Sequence, residues 1–395
     1  MSQKILAINS GSSSLKFKLY ELSEQTVLAS GHVDRIGQRN STFTFEIHGQ
    51  KTIQAEKMDD HLAAIQAVVN GLLTSHVIEH KSEIIAVGHR ISHGGRFYTH
   101  PVKVDAAVKA KIKELSVLSP LHNPVNLAGI EAFEKILPEA AEVATFDTSF
   151  HYTIPPKAYM YGLPYNYFKD HDIRRYGFHG PSHEYIVLKA RELFGTQQTR
   201  RMITCHLGNG ASLCAALDGK SVNSSMGFTP LAGLLMGTRS GDIDPEIIPF
   251  IEERFHMSSE DVRKMLNQDS GLLGLSGLSN DVRDLNQAAK AGNQRAQLAL
   301  DVYVHQIQQY IGAYTTDLNG LDMLVFTAGV GEHSAMIRQA VCAQLTFLGV
   351  KLDDEKNRAD ALRIDAPNSR VKVAVIPTDE EAIIARDIKQ VLGIK

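Results

Sequence analysis

Residues 5–22 read ILAINSGSSSLKFKLYEL. An apolar run breaks into Asn9-Ser10-Gly11-Ser12-Ser13-Ser14, and then Phe17, Leu19 and Tyr20 return, interleaved with Lys16 and Lys18. Strand, polar turn and strand together predict a β-hairpin. The turn has two readings: a plain tight turn, or a cradle in which successive backbone N–H groups, hydroxyls and Lys16 meet an anion. The stretch MITCHLGNGASLCAALDGK (202–220) repeats the plan. Two copies of one hairpin, each near the start of a half, suggest a duplication.

Other strand-like runs are EIIAVGHRIS (83–92), EVATFDTSF (142–150), DMLVFTAGVG (322–331) and VKVAVIPTDE (371–380). Helical periodicity marks 61–73, 296–318 and 380–393. Alternation of the two kinds predicts an α/β protein. Ligands in such folds gather at the carboxyl ends of strands, where most of these runs finish in polar or glycine-rich clusters. The Pro- and Tyr-rich segment 153–170 has no period and reads as an irregular connection leading into a second domain.

A chain of 395 residues exceeds what one hydrophobic core usually serves, so two domains are expected. Net charge is −3 with no basic block, which argues against a nucleic-acid surface. No apolar run reaches the ~20 residues of a membrane helix, and no signal-peptide pattern opens the chain. Cys205, Cys214 and Cys342 are odd in number and lack CxxC spacing. They read as small buried hydrophobes in a reducing cytosol, so the protein is expected to be soluble and cytoplasmic.

Neither GxxxxGK[ST] nor GxGxxG is present. Three turns could replace them: Ser10–Ser14 with Lys16, Gly208-Asn209-Gly210-Ala211-Ser212 after His206, and Gly329-Val330-Gly331-Glu332-His333-Ser334 before a helix. Each is also explained as a turn or cap, but three after three strands point to a shared nucleotide site. Arg90 and Arg239 sit among glycines and small residues, placed either to bind phosphate or carboxylate or to form surface ion pairs. Asp147 closes a strand, where it could orient a nucleophile, hold a metal's water or cap a turn. Glu380 and Glu381 suit magnesium or the dipole of the helix they begin. His89/His93 and His179/His183 have i,i+4 spacing, but Gly-Gly and Gly180-Pro181 speak against a helix presenting either pair to zinc. His179 fits better as a donor to a phosphoryl oxygen.

The motifs NSGSSSLKF, GHRISHGG, SPLHNPVNL, FDTSFH, RRYGFHGPSHEY, CHLGNGASLCA, SMGFTPLAGLLMGTRSGDIDP, SGLSNDVRD, FTAGVGEHSAMIR and IPTDEEAIIARD follow in order along nearly the whole chain. Together they resemble the acetate and propionate kinase family. The resemblance implies two duplicated actin-like (ribonuclease H-like) α/β domains around a nucleotide cleft, one at 1–148 plus 381–395 and one at 149–380. It implies a homodimer, ATP and ADP as co-substrates, and magnesium, or manganese in its place, held by Asn9 and Glu380. Asp147 would be the acidic residue at the reacting centre and Arg90 the ligand of the carboxylate or acyl phosphate. His179 and Arg239 would stabilise the phosphoryl group in the transition state. Ser12, Ser14 and Lys16 would lie near the nucleotide phosphates, His206, Leu207, Gly208, Asn209 and Gly210 would cradle them, and Asp281, Val282, Arg283, Gly329, Val330, Gly331, Glu332 and His333 would hold adenosine.

The implied reaction is reversible transfer from ATP to acetate, giving acetyl phosphate. The acyl pocket would comprise Ser92, Leu121, Phe178 and Pro230. Ser92 replaces a family valine, which leaves room for propionate. Pro181, Val222 to Met226 and His333 also depart from the family pattern without removing a reacting group. A sugar kinase of the same fold group lacks a matching polar cluster here. A non-catalytic ATP-binding scaffold would have no reason to carry Arg90, Asp147, His179, Arg239 and Glu380 together.

Overall fold

The opening stretch forms the expected hairpin: β1 (Lys4–Ser10) and β2 (Ser14–Glu21) pair antiparallel, with Asn9 opposite Lys16. The computed structural model describes residues 3–11, 13–23, 26–120 and 122–394, so the expectations for Ser12 and Leu121 lie outside the described residues. The chain divides into two units, Met1–Phe150 with Asp379–Lys395, and His151–Thr378.

In the first unit β3 (Val27–Asp34), β4 (Thr42–Ile47), β5 (Gln50–Ala55), β6 (Ile84–Ile91), β7 (Val102–Lys103) and β8 (Ala141–Phe146) complete a sheet of order β5-β4-β3-β2-β1-β6-β8-β7. β1, β6 and β8 run parallel. Central β1 is covered on both sides, which explains its unbroken apolar run. Leu6 and Ile8 join Phe17, Phe43 and Phe45 under helix His61–Thr74, while Ile5 and Ala7 pack on Ile384 and Ile388 of helix Glu380–Leu392. A Cβ at Gly88 would lie 2.4 Å from Ile384 Cγ2, so only glycine lets that helix approach β6.

In the second unit β9 (Arg201–Leu207), β10 (Ala211–Leu217), β11 (Lys220–Ser224), β12 (Met323–Thr327) and β13 (Lys372–Val375) have the order β11-β10-β9-β12-β13. Its core joins this sheet to helix Gln294–Asp317 through Ile203, Leu213, Leu324, Tyr303 and Ile307. Strand for strand it repeats β3-β2-β1-β6-β8: an antiparallel meander of three strands, then two strands parallel to the first. The echoed hairpins belong to a duplicated fold.

Three local features differ from the sequence reading. Residues 153–170 are not irregular throughout, since helices Pro156–Tyr159 and Tyr165–His171 form there, the first with proline in its opening turn. Gly180-Pro181 does not break a helix but starts one, Gly180–Gln198, because proline is tolerated where no intrahelical N–H bond is due. The β4–β5 hairpin was not expected at all. All three cysteines are free and buried. Among the described residues no helix is long and apolar enough to cross a membrane.

Candidate active site

The carboxyl ends of parallel β1, β6 and β8 bring Asn9, Arg90 and Asp147 together. Arg90 grips Asp147 with two edges, Nε to Oδ1 at 2.6 Å and Nη2 to Oδ2 at 2.5 Å. Its Nη1 donates to Asn9 Oδ1 at 3.0 Å and lies 3.8 Å from Glu380 Oε2. Asn9 Nδ2 donates to Glu380 Oε2 at 2.7 Å. Burial disfavours the Arg90 charge, but Asp147 and Glu380 outweigh it and hold the guanidinium above its ordinary pKa. Glu380 begins its helix behind the Asp379 cap, and Asp379 is itself bound by Lys18 at 2.6 Å. Magnesium takes hard oxygen donors, commonly one or two from protein with water and phosphate completing its shell. The adjoining carboxylate of Glu380 and amide oxygen of Asn9 fit that donor set.

One neighbour had no signal in the sequence. His61, the first residue of its helix, donates from Nε2 to the Gly11 carbonyl at 2.8 Å and so ties down the turn after Ser10. Ser14 opens β2 beside this turn, and Lys16 is exposed on the same strand. Ser92, placed in the acyl pocket by the resemblance, is buried and accepts a bond from Ser119 Oγ at 3.1 Å.

In the second unit five of the expected segments meet. His179 precedes helix Gly180–Gln198 in the left-handed region, at φ +56°, a conformation histidine enters more readily than most residues. A Cβ at Gly210 would lie 3.4 Å from His179 Nε2 and 3.3 Å from Arg239 Nη2, so glycine there keeps open a space that both groups flank. Arg239 Nη1 is held by the Pro230 carbonyl at 2.8 Å. The Gly208–Gly210 turn rests against Ala328, where helix Ala328–His333 begins, and its Asn209 Oδ1 accepts from Asn280 Nδ2 at 3.2 Å. Asp281 caps helix Val282–Lys290 and pairs with Arg283. His206 stacks on His179 with ring centroids 4.2 Å apart and bonds Ser182 through Nδ1 at 2.7 Å. Phe178 is buried beside them.

A further residue stands behind the Gly329–His333 segment. Arg338 is wholly buried, and its five N–H groups meet five acceptors: the carbonyls of Gly331, Glu332 and Asn357, Asn357 Oδ1 and Asp360 Oδ1. Its charge gave no hint in the sequence of so central a position.

The chain that carries these two groups of side chains has known relatives. The model of the acetokinase family matches residues 4–386. Acetate kinase of Staphylococcus aureus (strain Mu50 / ATCC 700699) is 49% identical over 401 residues, covering 100% of both chains. The crystal structure of Porphyromonas gingivalis acetate kinase is 41% identical with a TM-score of 0.90, covering 99% of this chain and 100% of that one. A propionate kinase from Francisella tularensis is 38% identical with a TM-score of 0.92, covering 98% of each chain. With a match running from the first strand into the last helix, the chain belongs to the acetokinase family.

Proposed function

We propose that the protein transfers the γ-phosphoryl group of ATP to acetate, reversibly and in line, giving acetyl phosphate and ADP. The observation that carries this reading is the space over Gly210, flanked by His179 Nε2 and Arg239 Nη2. Two nitrogen donors at one point suit the charge spread over a phosphoryl group in transfer. Acetate needs no general base, since a carboxylate is ionised at neutral pH. One of its oxygens forms the new bond to phosphorus, and the bond to the bridging oxygen breaks as ADP leaves. The obstacle is repulsion between anions. Arg90 would take the carboxylate, with Asp147 holding the guanidinium by two of its edges. Asn9 and Glu380 would hold magnesium, which when bound neutralises part of the phosphate charge. Ser14, Lys16, the turn region 206–210, the helix start at 281–283 and the helical segment 329–333 would bind the nucleotide. By the same family likeness the enzyme would act in the cytoplasm as a homodimer.

A second reading, transfer to propionate, is favoured by Ser92, whose hydroxyl is smaller and more polar than the valine usual in the family. One methylene is worth only about 1–3 kcal/mol, so the two acids need direct comparison.

Protein, ATP, Mg²⁺ and hydroxylamine are incubated with acetate, propionate, butyrate or glucose, and acyl hydroxamate and ADP are measured. Acetyl hydroxamate is expected in greatest yield. Hydroxamate with propionate alone would replace the substrate, and none with any acid would sink the function. Arg239→Ala is expected to lower kcat by about 10²–10³ while nucleotide affinity stays nearly intact.

A further inference from the structure

Ser212 lies on β10, opposite His206 of β9, and is completely buried. Its Oγ sits between two imidazoles, 2.9 Å from Nδ1 of His179 and 2.8 Å from Nε2 of His183. The far nitrogen of His183, Nδ1, lies 2.7 Å from Thr204 Oγ1. The i,i+4 spacing produces this arrangement, because the helix bond from His183 N to His179 O, 2.9 Å, brings both rings around one hydroxyl. His206 stacks on the other side of His179, and Arg239 approaches it across Gly210.

A hydroxyl has one proton, so Ser212 can donate to only one of the two rings and must accept from the other. Burial, reinforced by His151 and His206, keeps His183 neutral by pushing its pKa well below 6.5. A neutral His183 carries a single N–H, which leaves two proton orders when His179 is neutral too. In one, His183 Nε2–H donates to Ser212 and Ser212 donates to His179 Nδ1, so the His179 hydrogen sits on Nε2. In the other, every bond is reversed and Nε2 of His179 is an acceptor. Nε2 shares its space with an Arg239 nitrogen that can only donate. A group that satisfies Arg239 there is an acceptor, and it requires a donor from His179 as well.

We propose that Ser212 is a positioning residue for His179: its hydroxyl donates to Nδ1 and holds the neutral ring with its hydrogen on Nε2, aimed at the phosphoryl oxygens. The ring is thereby a donor without first being protonated from solvent. His183 supports Ser212 by donating to it, and Thr204 completes the chain at His183 Nδ1. The aim at a phosphoryl oxygen rests on the proposed function, whereas the proton order rests only on an acceptor of some kind being shared by His179 Nε2 and Arg239.

The full-length protein labelled with [¹⁵N]histidine gives the order directly from long-range ¹H–¹⁵N spectra at pH 8, with His179 assigned by the signal lost in His179→Asn. Hydrogen on Nε2 alone is expected in the unsubstituted protein. Hydrogen on Nδ1, in a neutral or a doubly protonated ring, would overturn the proposal without any variant having to fold. Ser212→Ala is expected to let the Nδ1–H form appear and to lower kcat by about ten- to a hundredfold, with KM for nucleotide and acid within about twofold. Ser212→Thr, which keeps the hydroxyl, should restore most of both. An unaltered His179 spectrum in folded Ser212→Ala counts against the idea. Failure of the unsubstituted protein to make any acyl phosphate would remove the proposed function but leave the tautomer measurement standing.

Discussion

His151 shows how far a single residue can be read from sequence alone. It sits in FDTSFH as one more polar residue, yet it is fully buried, donating from Nε2 to the Phe178 carbonyl at 3.0 Å and bonded through Nδ1 to Ser221 Oγ at 2.8 Å. Desolvation lowers its pKa from 6.5 to about 4. The unfolded chain therefore takes up a proton at this site well before the folded one does. Stability is at full strength above pH 6.5 and falls as pH drops through 6.5 towards 4, by about 3 kcal/mol for a shift of this size. His183 is displaced in the same direction and adds to the loss. Urea melts from pH 7.5 to 4.5 should show this slope. His151→Gln, which keeps an N–H for the Phe178 carbonyl but cannot titrate, should flatten it. An equally steep profile in the variant would mean that His151 is not its source. Asn9, Arg90, Asp147 and Glu380 were easier to single out as candidates, because each stands at or just past the end of an apolar strand. His61, Ser212 and Arg338 were not, because their partners lie 50, 33 and up to 22 residues away and no local pattern records those pairings.

At the level of elements, the strands that carry site residues were legible and their cover was not. β1, β6, β8, β9, β12 and β13 are apolar runs with polar ends, and each lies within a predicted segment or begins one residue before it. The last helix was expected at 380–393 and spans Glu380–Leu392, closed by Gly393 at φ +65°. The β4–β5 hairpin was missed, although Thr42–Ile47 alternates Phe43, Phe45 and Ile47 with polar residues. Helix Gly180–Gln198 is hidden in the sequence because its proline reads locally as a breaker rather than as a first-turn residue. Which helix lies on which sheet depends on contacts such as Gly88 with Ile384 and Ile388, 296 and 300 residues apart along the chain. Gly88→Ala tests that packing. The new methyl group would stand 2.4–2.9 Å from three branched side-chain atoms, so the helix must shift, at a cost of about 1–3 kcal/mol. Glu380 begins this helix, and the shift should also weaken its bond with Asn9. A lowered urea midpoint together with a raised Mg²⁺ requirement is the expected pair of changes. A midpoint unchanged in Gly88→Ala would show that the contact is looser than drawn.

The whole molecule repeats one topology, but only the first unit is completed by chain that is remote in sequence. The duplication was visible in two echoed hairpins, whereas the first unit's use of the chain's last residues was expected only through the family resemblance, since nothing local ties Asp379–Lys395 to β1. In that segment Ile384, Ala385 and Ile388 are at most 6% exposed and close the face carrying Ile5, Ala7, Ala86 and Val143. Two buried isoleucines are worth about 4 kcal/mol, a large share of the ~5–15 kcal/mol that a native protein has in total. The second unit, His151–Thr378, keeps all of its strands and its own core when the chain ends at Thr378. A truncation after Thr378 should therefore damage the two units unequally. Limited proteolysis is expected to leave a protected fragment beginning near His151, while the region before Phe150 is cut within its strands. Deletion also removes Glu380, so phosphoryl transfer should be lost along with the first unit's protection. Adding the peptide 379–395 in trans should restore protection to β1 and β6, because Ile384 and Ile388 pack on strands that are otherwise complete. Equal protection of both units in the truncated chain would show that the first sheet holds without this cover, and that the C-terminal helix serves only to deliver Glu380.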